Sequence, residues 1–108
     1  MNARQIEVQS YFKQQHPEAL ILYHLPGQYV LLGEDVDRAS KSFPTIQVPE
    51  PGVGILPDDI TILSTLGEDG SEIQLIAYRN DAGMLDFPDV KRLIEEKRWT
   101  IKKFFVLT

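Results

Sequence analysis

The chain has 108 residues, 43% of them hydrophobic and 25% charged, with no cysteine and a formal net charge of −5. That length holds one core and one domain, 1–108, and the composition is that of an ordinary soluble globular protein. The charge argues against a generic polyanion binder, the missing cysteines exclude disulfides and thiolate metal sites, and no apolar run or apolar leader marks a membrane span or a secretory signal, so a cytoplasmic location is the default.

Residues 3–16 place Ile6, Val8, Tyr11 and Phe12 among polar neighbours, the pattern of an amphipathic helix that Pro17 stops. "ALILYHL" (19–25) is a short apolar run and reads as a buried strand. Pro26-Gly27 fits the centre of a type II turn, and "QYVLLG" (28–33) returns as the second arm of a hairpin. Glu34, Asp35 and Asp37 then crowd a helix start, where negative charge suits the positive end of the dipole. Val36, Ala39 and Phe43 carry that helix to Pro44.

Residues 44–59, with four prolines and two glycines among "PTIQVPEPGVGILPDD", read as a long ordered loop. "ITILSTL" (60–66) and "EIQLIAYR" (72–79) flank "GEDGS" and predict a second hairpin. After the loop "NDAGMLD", Asp86 and Asp89 resemble a capping arrangement with Pro88 in the first turn. Val90, Leu93 and Ile94 supply the apolar stripe of a helix there. "WTIKKFFVLT" closes as a strand. The expected order is α-β-β-α, a loop, then β-β-α-β: an α/β (α+β) domain with a small mixed sheet packed against helices.

Signs of catalysis and of cofactor binding are missing. His16 and His24 lack partners at metal-ligand spacing, and no GxSxG, HExxH or cysteine nucleophile is present. Gly52-Val53-Gly54 has no P-loop context, so ATP is not expected. The acid pairs Asp58-Asp59 and Glu68-Asp69 read as turn residues, which lack the burial that tunes a catalytic carboxylate. The expectation is a non-enzyme without metal or cofactor. Residues 91–103 carry Lys91, Arg92, Lys97, Arg98, Lys102 and Lys103 against Glu95 and Glu96, a local +4 that leaves the remainder at −9. Such a run is either a solvated helix face or a phosphate-binding face.

From Tyr11 to Phe43 the order of motifs resembles the N-terminal mismatch-recognition domain of the bacterial DNA mismatch-repair protein MutS. The residues that carry it are His16-Pro17-Glu18, the strand 19–25, Gly27-Gln28-Tyr29-Val30-Leu31, Glu34-Asp35 and Ala39-Ser40. Residues 73–79, the helix with Val90, Leu93 and Ile94, and the last strand are similar more weakly. Arg98-Trp99 stands where a glycine is expected, and 44–71 shows no match. The resemblance implies the family's small α/β domain and an aromatic residue that wedges beside a mispaired base, with a glutamate two positions on to hydrogen-bond it. Tyr29 can stack on a base, for about 1–3 kcal/mol, but Leu31 has no acceptor to replace the glutamate. The family's ATPase does not fit in 108 residues, so a standalone relative or an excised first domain is expected.

Two readings stay open. In one, Tyr29, Gln28 and Leu31 meet duplex DNA and the basic cluster meets phosphates. In the other, the fold has lost DNA binding and recruits a protein through a Tyr29–Leu31 apolar patch or a free strand edge. A weaker option makes 44–59 a lid over a small molecule.

Overall fold

A computed structural model describes the backbone of residues 1–78 and 99–104 and the side chains of residues 1–76. Helix α1 (Ala3–Gln15) opens with a reciprocal cap. Gln5 N donates to Asn2 Oδ1, and Asn2 N to Gln5 Oε1, both at 2.8 Å. Its buried residues Gln5, Val8, Gln9 and Phe12 follow helical spacing and face the sheet. The hairpin of β1 (Leu20–Leu25) and β2 (Gln28–Leu32) turns on Gly27 at φ 80°, a value that an L side chain adopts at a cost. Helix α2 (Glu34–Ser42) follows, with Glu34, Asp35 and Asp37 in its first turn.

Two regions depart from the expected order. Residues 44–59 are not a loop but the hairpin of β3 (Gln47–Glu50) and β4 (Val53–Pro57), part of the sheet, so no lid forms there. Its prolines are placed where a ladder tolerates them: Pro49 lies in an edge strand, Pro51 in the turn, and Pro57 at the last position of β4. Residues 60–66 are not a strand but helix α3 (Ile60–Leu66). Asp59 caps it, its side chain accepting from Thr61 N at 3.0 Å, and Ile62, Leu63 and Leu66 form one buried stripe. Cap and burial outweigh the β-branched composition of "ITILSTL". "GEDGS" therefore joins α3 to β5 (Ile73–Tyr78) and makes no hairpin.

Among the described residues the sheet has six strands in the order β3-β4-β2-β1-β5-β6, with β6 spanning Trp99–Phe104. Of these strands only β1 and β5 run parallel, with Leu22 opposite Leu75, and the other described pairings are antiparallel. Alternation along the strands splits the core in two. Ile21, Tyr23, Leu25, Val30, Leu32, Val53 and Ile76 pack with Val8 and Phe12 of α1. Leu20, Leu22, Tyr29, Leu31, Leu56, Ile73 and Leu75 pack with Val36 and Ala39 of α2 and with Ile62, Leu63 and Leu66 of α3. The mixed α/β class expected from the sequence is thus the class of the fold, with helices on both sheet faces. The helix expected around Val90, Leu93 and Ile94 lies outside the described residues.

Candidate functional site

The β1–β2 hairpin places Tyr29 opposite His24 and Gln28 opposite Leu25. Tyr29 does not present its ring to solvent. It is 4% exposed and packs on the His24 ring, with centroids 4.9 Å apart and planes tilted by 56°. His24 Nε2 lies 3.2 Å from Asp58 Oδ2, so the start of α3 is tied across the hairpin's end. Burial raises the Tyr29 hydroxyl above its ordinary pKa, and the charges of Asp58 and Asp59 push it the same way. Negative charge therefore gathers around the side chain that would have to approach a phosphodiester backbone.

Leu31 is fully buried. It sits opposite Gly54, where an added Cβ would lie 2.8 Å from Ile46 Cδ1 and 3.1 Å from Val36 Cγ1. Tyr29 and Leu31 do share one face, as the spacing of two requires, but α2 and α3 cover that face. The expected Tyr29–Leu31 surface patch is thus corrected to a core contact, because a helix occupies 60–66 where a strand was expected. Gln28 is half-buried and lines a groove with Gly27. Lys102 and Lys103 lie in β6, in register with Leu75 and Gln74, at the sheet edge farthest from β3. Lys91, Arg92, Lys97 and Arg98 lie outside the described residues. The other expected docking element, a free strand edge, is poorly served by β3. That strand has four residues, a register break between Gln47 and Glu50, and Pro49 without an N–H.

The groove measures about 510 Å³. Phe43, Leu56 and Ile62 give it apolar walls, and Gln28, Thr45 and Gln47 give it uncharged polar ones. Its lining is drawn from the β1–β2 turn, the α2–β3 connection, β3, β4 and α3.

A second constellation, missed in the sequence, surrounds Asp35, which is 1% exposed. Its carboxylate accepts from Ile21 N at 3.1 Å, Gln9 Nε2 at 3.2 Å and Lys13 Nζ at 3.1 Å, and Arg38 Nη1 stands 3.6 Å away. Tyr23 Oη donates to Gln9 Oε1 at 2.8 Å. All these partners belong to the protein, and they pin α1, β1 and α2 together. Asp35 in the first turn of α2 was legible as a dipole partner, but its acceptors' mates come from sequence distances of 14 and more. Among the described residues no three His, Asp or Glu side chains gather as a metal ion would need, and no helix is long and apolar enough to cross a membrane.

Fold and site together define a three-layer α/β domain whose exposed features are a groove and a charge imbalance. Comparison with models of protein families and with curated proteins finds no match to the chain.

Proposed function

We propose that this domain is a non-catalytic binding module of the architecture implied by the MutS N-terminal resemblance, which has given up base reading through its hairpin and engages a protein. The observation that carries this reading is the burial of Tyr29 between His24 and the helix-covered face, with Leu31 fully enclosed behind it. A wedge must leave its own core to enter a base stack, and the unstacking it performs already costs a few kcal/mol. The electrostatics point the same way. From Phe43 to Tyr78 the chain has no lysine or arginine and six acids: Glu50, Asp58, Asp59, Glu68, Asp69 and Glu72. Phosphate contacts need the opposite sign.

An NMR titration of the labelled chain with a G·T-mismatched duplex and its matched twin at low salt tests the reading. The expected result is no mismatch-dependent shift at Gln28 to Leu32. Shifts there with the mismatched duplex alone overturn the proposal and restore Tyr29 as the wedge.

A further inference from the structure

Resting on that reading, we infer that the groove between β4, α3 and the α2–β3 connection docks a short basic segment of a partner protein that carries an apolar anchor side chain. Three independent features of the molecule converge on this occupant. The groove has a volume within the ~300–1,000 Å³ range of specific clefts, and its walls are Phe43, Leu56 and Ile62. Its polar lining consists of the uncharged Gln28, Thr45 and Gln47, which hydrogen-bond a peptide backbone well but give a small charged metabolite nothing to fix it.

Exposed apolar surface is also concentrated here. Of the three large hydrophobic side chains exposed among the described residues, Val48 at 51% directly follows the lining residue Gln47, and Ile60 at 72% lies two positions before the lining residue Ile62. Ile60 sits at the start of α3, on the side of that helix turned away from its buried stripe. Such side chains beside a trough extend the apolar contact that a partner can cover.

Charge selects the partner's sign. Asp58 and Asp59 directly follow Pro57, another lining residue, and no cation occurs anywhere in 43–78. The cations with described side chains sit on α1 and α2: Lys13 and Arg38 are held at Asp35, Arg4 lies beside Glu7, and Lys41 stands alone in the last turn of α2 as the one lysine near Phe43. Lys102 and Lys103 belong to β6, five strand spacings from β3 across the sheet, or about 24 Å at ~4.8 Å per spacing. That separation exceeds the Debye length of ~8 Å at physiological salt, so at their backbone positions they do not offset Asp58 and Asp59 beside Pro57. A partner with lysine or arginine on either side of a leucine- or phenylalanine-sized anchor meets apolar walls and an acidic rim at once. Complementarity of this kind fixes register and speeds encounter.

The test uses two fluorescent twelve-residue peptides, each with a central Leu-Phe pair, one flanked by lysine and arginine and its twin by glutamate. With the isotope-labelled chain, the basic peptide is expected to shift Thr45, Gln47, Leu56 and Ile62. The acidic twin should not, and affinity should fall severalfold between about 50 and about 300 mM salt. Thr45→Arg and Gln47→Arg alter exposed residues outside the core and should each weaken binding at least tenfold without changing the melting temperature. Equal shifts from both peptides, or none from either, overturn the basic-segment inference while leaving the loss of base reading to stand on the duplex titration. Mismatch-specific shifts at Tyr29 in that titration bring down the underlying reading instead. Groove shifts that grow with protein concentration in the absence of peptide overturn the inference in favour of self-association.

Discussion

Tyr29→Ala separates a core residue from a base wedge, because the two roles differ in what the truncation costs the free protein. A buried tyrosine removes about 150–250 Å² from water, and its ring packs here on His24, Leu56 across the strand pair, and the α3 stripe. At ~25 cal/mol per Å² the lower area gives nearly 4 kcal/mol, and large-to-small aromatic truncations in cores cost about 3–5 kcal/mol. Tyr29 lies at the sheet's end, where neighbours can relax into the space, so a loss of about 3 kcal/mol is expected. With a urea slope of ~2 kcal/mol/M for a chain this size, the unfolding midpoint should fall by about 1.5 M. Tyr29→Phe keeps the ring and should stay within about 0.5–1 kcal/mol of the parent. Urea titration followed by far-ultraviolet circular dichroism reads both variants. A Tyr29→Ala protein within about 1 kcal/mol of the parent would show that the ring contributes little to the core, and the case against a wedge would collapse with it.

Removing the Asp35 carboxylate strands the buried Ile21 N–H, takes one acceptor from the Gln9 amide and leaves Lys13 without its counter-charge, so Asp35→Ala should cost about 3–5 kcal/mol in the same assay, and a loss under 1 kcal/mol would refute the tie between α1, β1 and α2. Gly54→Ala drives a methyl against Ile46 and Val36 and should destabilise by about 1–3 kcal/mol, whereas a neutral result would mean the α2–β3 connection yields freely. Tyr23 gives the pH dependence: burial, and after it the Asp35 charge, hold its hydroxyl well above the ordinary value of 10.0. The unfolded chain thus releases that proton near pH 10 while the folded chain keeps it. Stability should be complete below that pH and decline as pH rises beyond it, and Tyr23→Phe should flatten the decline measured by melting temperature from pH 8 to pH 11.

The sequence by itself settled the elements whose signals are local and agree with one another. Residues 3–16 repeat apolar groups at helical spacing up to a proline, Pro26-Gly27 joins two apolar runs, and acids precede Val36 and Ala39. α1, β1, β2 and α2 each formed within about a residue of expectation. Where local signals conflicted, tertiary packing decided. "ITILSTL" has the β-branched content of a strand, but Asp59 and Gly67 bound it as a helix, and only the sheet's open face could reward that choice by burying Ile62, Leu63 and Leu66. The prolines of 44–59 signalled a loop, yet β4 found an unpaired β2 edge for its ladder, with partners 21 to 29 residues away that no local pattern records. The site followed the same division. Spacing alone put Tyr29 and Leu31 on one face of a strand, but whether that face met water or a helix depended on α3. Once α3 covered it, the hairpin lost its exposed aromatic and the open surface moved to the groove beside Phe43 and Gln47.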